Sequence, residues 1–512
     1  MNTSQSILTI QKGIISNMHK SLLLILFFTV ATLVCTYGES LSEANDLNST
    51  TELVVSATEE GDAEAVVHHH APAWSVIPFV VLLLMIATGP LFYEHFWHKS
   101  YPKIAVSLAV LVVAYYIFGL HNTHAPIHAT AEYIQFIALL SGLFIASGGI
   151  MIKVDKDATP LTNVILLLIG AVVANIIGTT GASMLLVRPF IRLNKNRIKA
   201  YHIIFFIFMV SNIGGSLTPI GDPPLFLGFL KGVPFFWTLT WNFIPWLFAL
   251  TILSVIFYFL DKNNKSDYSF GEDLRKRTGK ISIIGNRNFL WLAVIVGSVF
   301  LDPNVLDWVP AIHYDGQKFS YCREIIMFTA GFLSYKMASK DALKGNDFNF
   351  EPIREVAFIF IGIFGTMMPA LELVGNYAQS EAGAAMITHN TLYWGTGALS
   401  GFLDNAPTYI NFLTAAMASQ GGSINNFQEV ISYSEGGYPD SQLSLMAISV
   451  AAVFFGAMTY IGNGPNFMVK SIAEQVGIKM PSFFGYIIRF SIPILLPLFL
   501  LVWFIFFYLQ IL

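Results

Sequence analysis

Two carboxylates stand where carboxylates are costly. Asp222 lies in the run GGSLTPIGDPPLFLGFL at 214–230 and Asp404 in SGFLDNAPT at 400–408, both within otherwise apolar stretches. A charge at the centre of a bilayer costs ~2.5 to 3.5 kcal/mol on insertion scales, so each acid calls for a partner or a function. A carboxylate can hold a proton or an alkali cation, but not both together, and that is the chemistry an ion exchanger needs. Neutral oxygens, which suit Na+, gather at nearby positions. Asn175, Thr179, Thr180 and Ser183 occupy NIIGTTGAS at 175–183, Ser400, Asn405 and Thr408 flank Asp404, and Asn463 and Asn466 fall in IGNGPNFM at 461–468. Each has a plainer reading. Asp is a good helix N-cap, Asp404 would also suit a helix end at the water interface, and small hydroxyl residues such as Ser183 pack membrane helices together.

The segments that must position these residues are set by composition. The chain of 512 residues is 54% hydrophobic and 12% charged, with a mean hydropathy of +0.61, which marks lipid as its solvent. Its apolar runs approach the ~20 residues that a spanning helix requires. The fold class is therefore an all-α polytopic membrane protein. Ten spans follow, at 74–91, 103–121, 132–150, 201–230, 241–260, 289–301, 322–338, 353–373, 442–470 and 483–510.

Two further apolar stretches, 161–188 and 391–417, fit as re-entrant hairpins. With both returning to their own side, the cytoplasmic segments hold 23 of the 28 Lys and Arg, and the exterior ones hold Lys231, Lys318 and Arg323. Making only the first a full span would export Arg188, Arg192, Lys195, Arg197 and Lys199, against the positive-inside tendency. The order span, hairpin, broken span, span then occurs at 132–260 and again, from the other side, at 353–510. It is an inverted repeat, divided as 74–301 and 302–512.

The breaks are written in the residues. Gly214, Gly215, Pro219, Gly221, Pro223 and Pro224 crowd one short stretch, more helix breakers than a kink needs, so a truly unwound segment is expected. Unwinding frees backbone carbonyls and exposes half-helix ends, the construction of ion sites in many secondary transporters. Asn175 and Asn405 are expected at equivalent places, each facing the break of its own half.

The ends of the chain carry no chemistry of this kind. Residues 1–38 read as a secretory signal peptide, and 39–73 as an acidic exterior tail whose His68, His69 and His70 fit a polar linker better than a metal site. Glu94, His95, His98 and Glu355 read as surface charge, with His95 placed where a pH sensor would be. Cys35 and Cys322 make no disulfide framework. No cofactor and no nucleic-acid partner is implied.

The motifs ANIIGTTGASMLLVRP at 174–189, GGSLTPIGDPPLFLGFLKGVPFFW at 214–237 and SGFLDNAPTYINFL at 400–413 resemble the NhaD family of bacterial sodium/proton antiporters, part of a superfamily that includes arsenite and dicarboxylate carriers. The resemblance covers roughly 74–512, apart from 418–441. It implies exchange of Na+ or Li+ for H+ across the bacterial inner membrane, hairpin tips facing unwound helices, and a homodimer. Among alternatives, a sodium-coupled dicarboxylate symporter is awkward to reconcile with two acids at the site. For an intramembrane aspartyl protease the first glycine of the GxGD motif is replaced here by Pro219, three residues before Asp222, and no Tyr-Asp pair lies in an earlier span.

Overall fold

The structure, a computed structural model, describes residues 71–154, 156, 158–195, 197–264, 280–314 and 317–511. The expected signal peptide, nearly all of the acidic tail with its histidines, and most of the loop at 262–287 lie outside the described residues. Ahead of Ile77 the described residues include the turn Ala73–Val76. From Ile77 onward the chain is a single, mostly helical body.

Seven helices among the described residues are long and apolar enough to cross a bilayer, and the protein is a multi-pass membrane protein. One of the seven, Pro160–Leu193, does not cross as a rod. Gly178 sits at φ 79°, ψ 154°, outside helical space, a conformation that glycine reaches without a Cβ penalty. Beyond it the chain doubles back. Asn163 and Asn194 exchange amide hydrogen bonds of 2.9 and 2.8 Å, although a straight helix would hold them about 46 Å apart. The second hairpin, His389–Ser400 and Asn405–Ala418, closes likewise, with Gly395 against Phe412. Both expected hairpins are present.

Both expected broken spans are present too. The first is Ala200–Met209 followed by Pro223–Lys231, and the second is Ser441–Phe455 followed by Gly464–Gln475. Ser441–Phe455 is buried along its whole length and receives both arms of the second hairpin. The stretch expected as one span at 353–373 is two helices, Glu351–Thr366 and Met368–Gln379, bent by 47°. Two short antiparallel strand pairs depart from the all-helical expectation: Met151–Val154 with Ile281–Ile284, and Ala311–Tyr314 with Gln317–Ser320. They join loop segments, where the β-branched runs MIKV and ISII are free to pair.

A buried polar knot fixes the open end of the first hairpin. Asp261, fully buried at the end of Trp237–Lys262, accepts from Asn163 Nδ2 at 2.9 Å, Arg197 Nη2 at 2.8 Å and Tyr201 Oη at 2.7 Å. His202 lies 3.0 Å away through Nε2, and its Nδ1 accepts the Lys199 N–H, so the proton belongs on Nε2. Replacing Asp261 by Leu would leave the Arg197 guanidinium buried without its counter-charge. The expected loss is ~3–5 kcal/mol, read by thermal unfolding in detergent. A loss under about 1 kcal/mol would mean that the pair behaves like an exposed one.

Candidate functional site

The two unwound segments and the two hairpin tips meet at Asp222. Its backbone occupies the N-cap position of Pro223–Lys231, but its side chain caps nothing. It is 1% exposed, and both oxygens are engaged from three other elements. Oδ1 accepts from Thr179 Oγ1 at 2.6 Å and from Asn463 Nδ2 at 2.8 Å, while Oδ2 accepts from Asn405 Nδ2 at 2.6 Å. Every donor is neutral. No ion pair reaches Asp222 among the described residues, so its charge is met by dipoles alone. Two donors on Oδ1 and one on Oδ2 can be accepted by the ionised carboxylate and by the acid protonated at Oδ2 alike.

The halves repeat one hydrogen-bond pattern. Thr218 Oγ1 donates to the Asn175 carbonyl at 2.6 Å and accepts the Gly221 N–H at 3.1 Å. Thr459 Oγ1 donates to the Gly401 carbonyl at 2.7 Å and accepts the Gly462 N–H at 3.1 Å. This register pairs Asn175 with Gly401 and, four residues on, Thr179 with Asn405. The expected equivalence of Asn175 and Asn405 is therefore corrected. Asn175 serves its own break, donating to the Gly214 carbonyl at 2.6 Å and accepting from the Leu217 N–H at 2.9 Å. Asn405 reaches across to the acid of the other half. Equal distance upstream of a break misled because the hairpin tips, Gly178 and Asp404, are what set the register.

The other expected residues separate into neighbours of Asp222 and supports. Asp404 is the true cap: its Oδ1 accepts the Ala406 N–H at 3.0 Å at the start of Asn405–Ala418. It also lines a cavity of about 500 Å³ together with Thr179, Thr180, Gly221 and Asn463. Thr408 bonds the Asp404 carbonyl at 2.9 Å. Ser400 ties the hairpin to the Ala452 carbonyl at 2.5 Å, and Ser183 pairs with Ser211 at 2.7 Å. Asn466 donates to the carbonyls of Gly456 and Thr459 at 2.8 and 2.9 Å, spanning the second break. Glu94 and His98 sit 3.8 Å apart on an exposed helix start.

Asn212 was not anticipated. It donates to Asn466 Oδ1 at 2.7 Å, joining the two broken spans. Its own Oδ1 and that of Asn405 accept no hydrogen bond, and both residues are fully buried. They are close to one another, since Gly456 borders both side chains. The signal was legible, because Ser211-Asn212 is a polar pair in an apolar run, but the break was expected to begin only at Gly214. It begins at Val210.

The site therefore offers a buried carboxyl group, two unpartnered amide oxygens and four half-helix ends, with a cavity leading to it. That set suits a small dehydrated cation and fits a secondary transporter. The chain has no match among curated proteins. Residues 68–507 match the family described as "Putative citrate transport", and the chain belongs to that family of transporters.

Proposed function

We propose that the protein exchanges Na+ or Li+ for H+ across a bacterial inner membrane, with its mature N-terminus outside and its two halves related as an inverted repeat. The observation that carries this reading is Asp222, buried among Thr179, Asn405 and Asn463 with no cationic residue beside it among the described residues. A carrier of carboxylates would gain from positive groups at this point. A carrier of cations gains from their absence. Proton and Na+ compete for the one acid, since bound Na+ favours the ionised form and expels the proton. The NhaD-like motifs supply both tips and the first break, and the positive-inside tendency, with Arg188 lining the 500 Å³ cavity, supports a cytoplasmic opening for it.

The family's description, citrate transport, favours a second reading, uptake of an organic anion, here taken as coupled to sodium. Proteoliposomes holding a pH-sensitive dye and a preset pH gradient separate the two. Addition of Na+ or Li+ is expected to dissipate the gradient, and K+ or citrate to leave it intact. Uptake of radiolabelled citrate that requires Na+, with no dye response to Na+ alone, would replace exchange by symport.

A further inference from the structure

We infer that Lys231 is a positioning residue, whose ion pair with Glu132 latches the broken span shut on the side away from the 500 Å³ cavity. The inference rests on the transport reading but not on which ion is carried. Two cavities enter the protein. That of about 500 Å³ touches Thr179, Thr180, Asp404 and Asn463. A second of about 1020 Å³ has Leu230, Lys231, Glu132 and Thr414 in its lining, and none of the residues bonded to Asp222 lines it. Of these two cavities, only the smaller reaches residues bonded to Asp222.

What closes the other side is a thin layer. Pro223–Lys231 packs on Asn405–Ala418, where a Cβ on Gly228 would fall 2.4 Å from the Tyr409 hydroxyl. Phe226 meets Phe136 at 6.3 Å between ring centroids. At the rim, Lys231 Nζ donates to Glu132 Oε1 at 2.6 Å and to Asn425 Oδ1 at 3.3 Å. The ion pair is shielded, with side chains 10% and 15% exposed, so it is stronger than a surface pair.

Its placement gives it leverage. Glu132 belongs to the long helix His124–Gly148, whereas Lys231 ends the nine-residue helix whose other end is Asp222. Such a helix is about 13 Å long and moves as a rod. Parting the layer toward the 1020 Å³ cavity pulls Lys231 from Glu132, so the pair stabilises the closed arrangement selectively.

The test uses the full-length chain with Cys35→Ser and Cys322→Ser, carrying Ile410→Cys. Ile410 is buried one turn before Thr414, next to the Tyr409 of the layer. A membrane-impermeant maleimide is added from the Lys231 face. Lys231→Met and Glu132→Gln are each expected to raise the labelling rate about three- to tenfold, and the swap Glu132→Lys with Lys231→Glu to restore the slow rate. Unchanged labelling in both single variants, or a swap as fast as they are, overturns the latch. Should a single variant fail to reach the membrane, the neutral double Glu132→Gln with Lys231→Met gives the same reading. Labelling does not depend on the transported ion, so loss of the sodium/proton reading would leave this result standing.

Discussion

Asp222→Asn is expected to abolish Na+-driven dissipation of a pH gradient in proteoliposomes while the protein still inserts and remains monodisperse. The loss follows from chemistry, because an amide keeps the size and one oxygen but can neither release a proton nor carry the charge that Na+ requires. Retention of the fold follows from the hydrogen bonds. The remaining oxygen can still accept from Thr179 and Asn463, at present 2.6 and 2.8 Å away. The new NH2 would confront Asn405 Nδ2, donor against donor. That conflict resolves if the Asn405 amide rotates and presents its Oδ1, which has no partner now. The net cost is then about one hydrogen bond to a charged group, ~1.5–3 kcal/mol. Asp404→Asn should be milder. Asn caps a helix about as well as Asp, so the Ala406 N–H keeps its acceptor, and the expected defect is a weaker apparent affinity for Na+. Normal exchange in the Asp222 variant would move the proton-carrying role to another acid. A fall in exchange matched by equal loss of folded protein would show only that the carboxylate holds the crossing together.

The ranking of these two acids shows what the residues alone convey. Spans, hairpins and breaks were legible because glycine and proline punctuate apolar runs, and the count of basic residues on each side selects hairpins over spans. Asp222, Thr179, Asn405 and Asn463 were each visible as polar atoms in apolar surroundings. Their convergence was not, since it depends on contacts between residues up to 241 positions apart. Which of the two acids serves as a cap was not legible, for the same reason. From spacing, Asp222 precedes Pro-Pro and looks like a cap, yet three donors from elsewhere claim its oxygens, while Asp404 caps its own helix. The strand pairs were missed because four-residue runs carry too little period to register.

Gly221→Ala is expected to damage both the fold and transport. A Cβ at Gly221 would lie 2.1 Å from the Gly215 carbonyl oxygen and 3.0 Å from Asn175 Oδ1. Both neighbours are pinned. Asn175 is held by Gly214 and Leu217, and Gly215 belongs to the turn Ile213–Gly215, whose Gly214 is itself boxed by the Met209 carbonyl and Ala171. The first unwound segment must therefore move as a whole. It would carry with it the Gly221 carbonyl, which accepts the Thr179 N–H at 2.8 Å, and with that the hairpin tip. Overpacking of this kind costs ~1–3 kcal/mol or more, and transport should be lost even in the fraction that folds, because Asp222 is the next residue. Gly297 is the control: it lies inside Arg287–Ser298, and a Cβ there meets nothing within 4 Å. Gly297→Ala should leave exchange unchanged and stability the same or higher by ~0.5–1 kcal/mol. Thermal unfolding in detergent and exchange in proteoliposomes, measured side by side on the two variants, decide the matter. If Gly221→Ala unfolds at the wild-type temperature and exchanges at the wild-type rate, the close crossing of Gly215 and Gly221 does not hold the site in its working geometry.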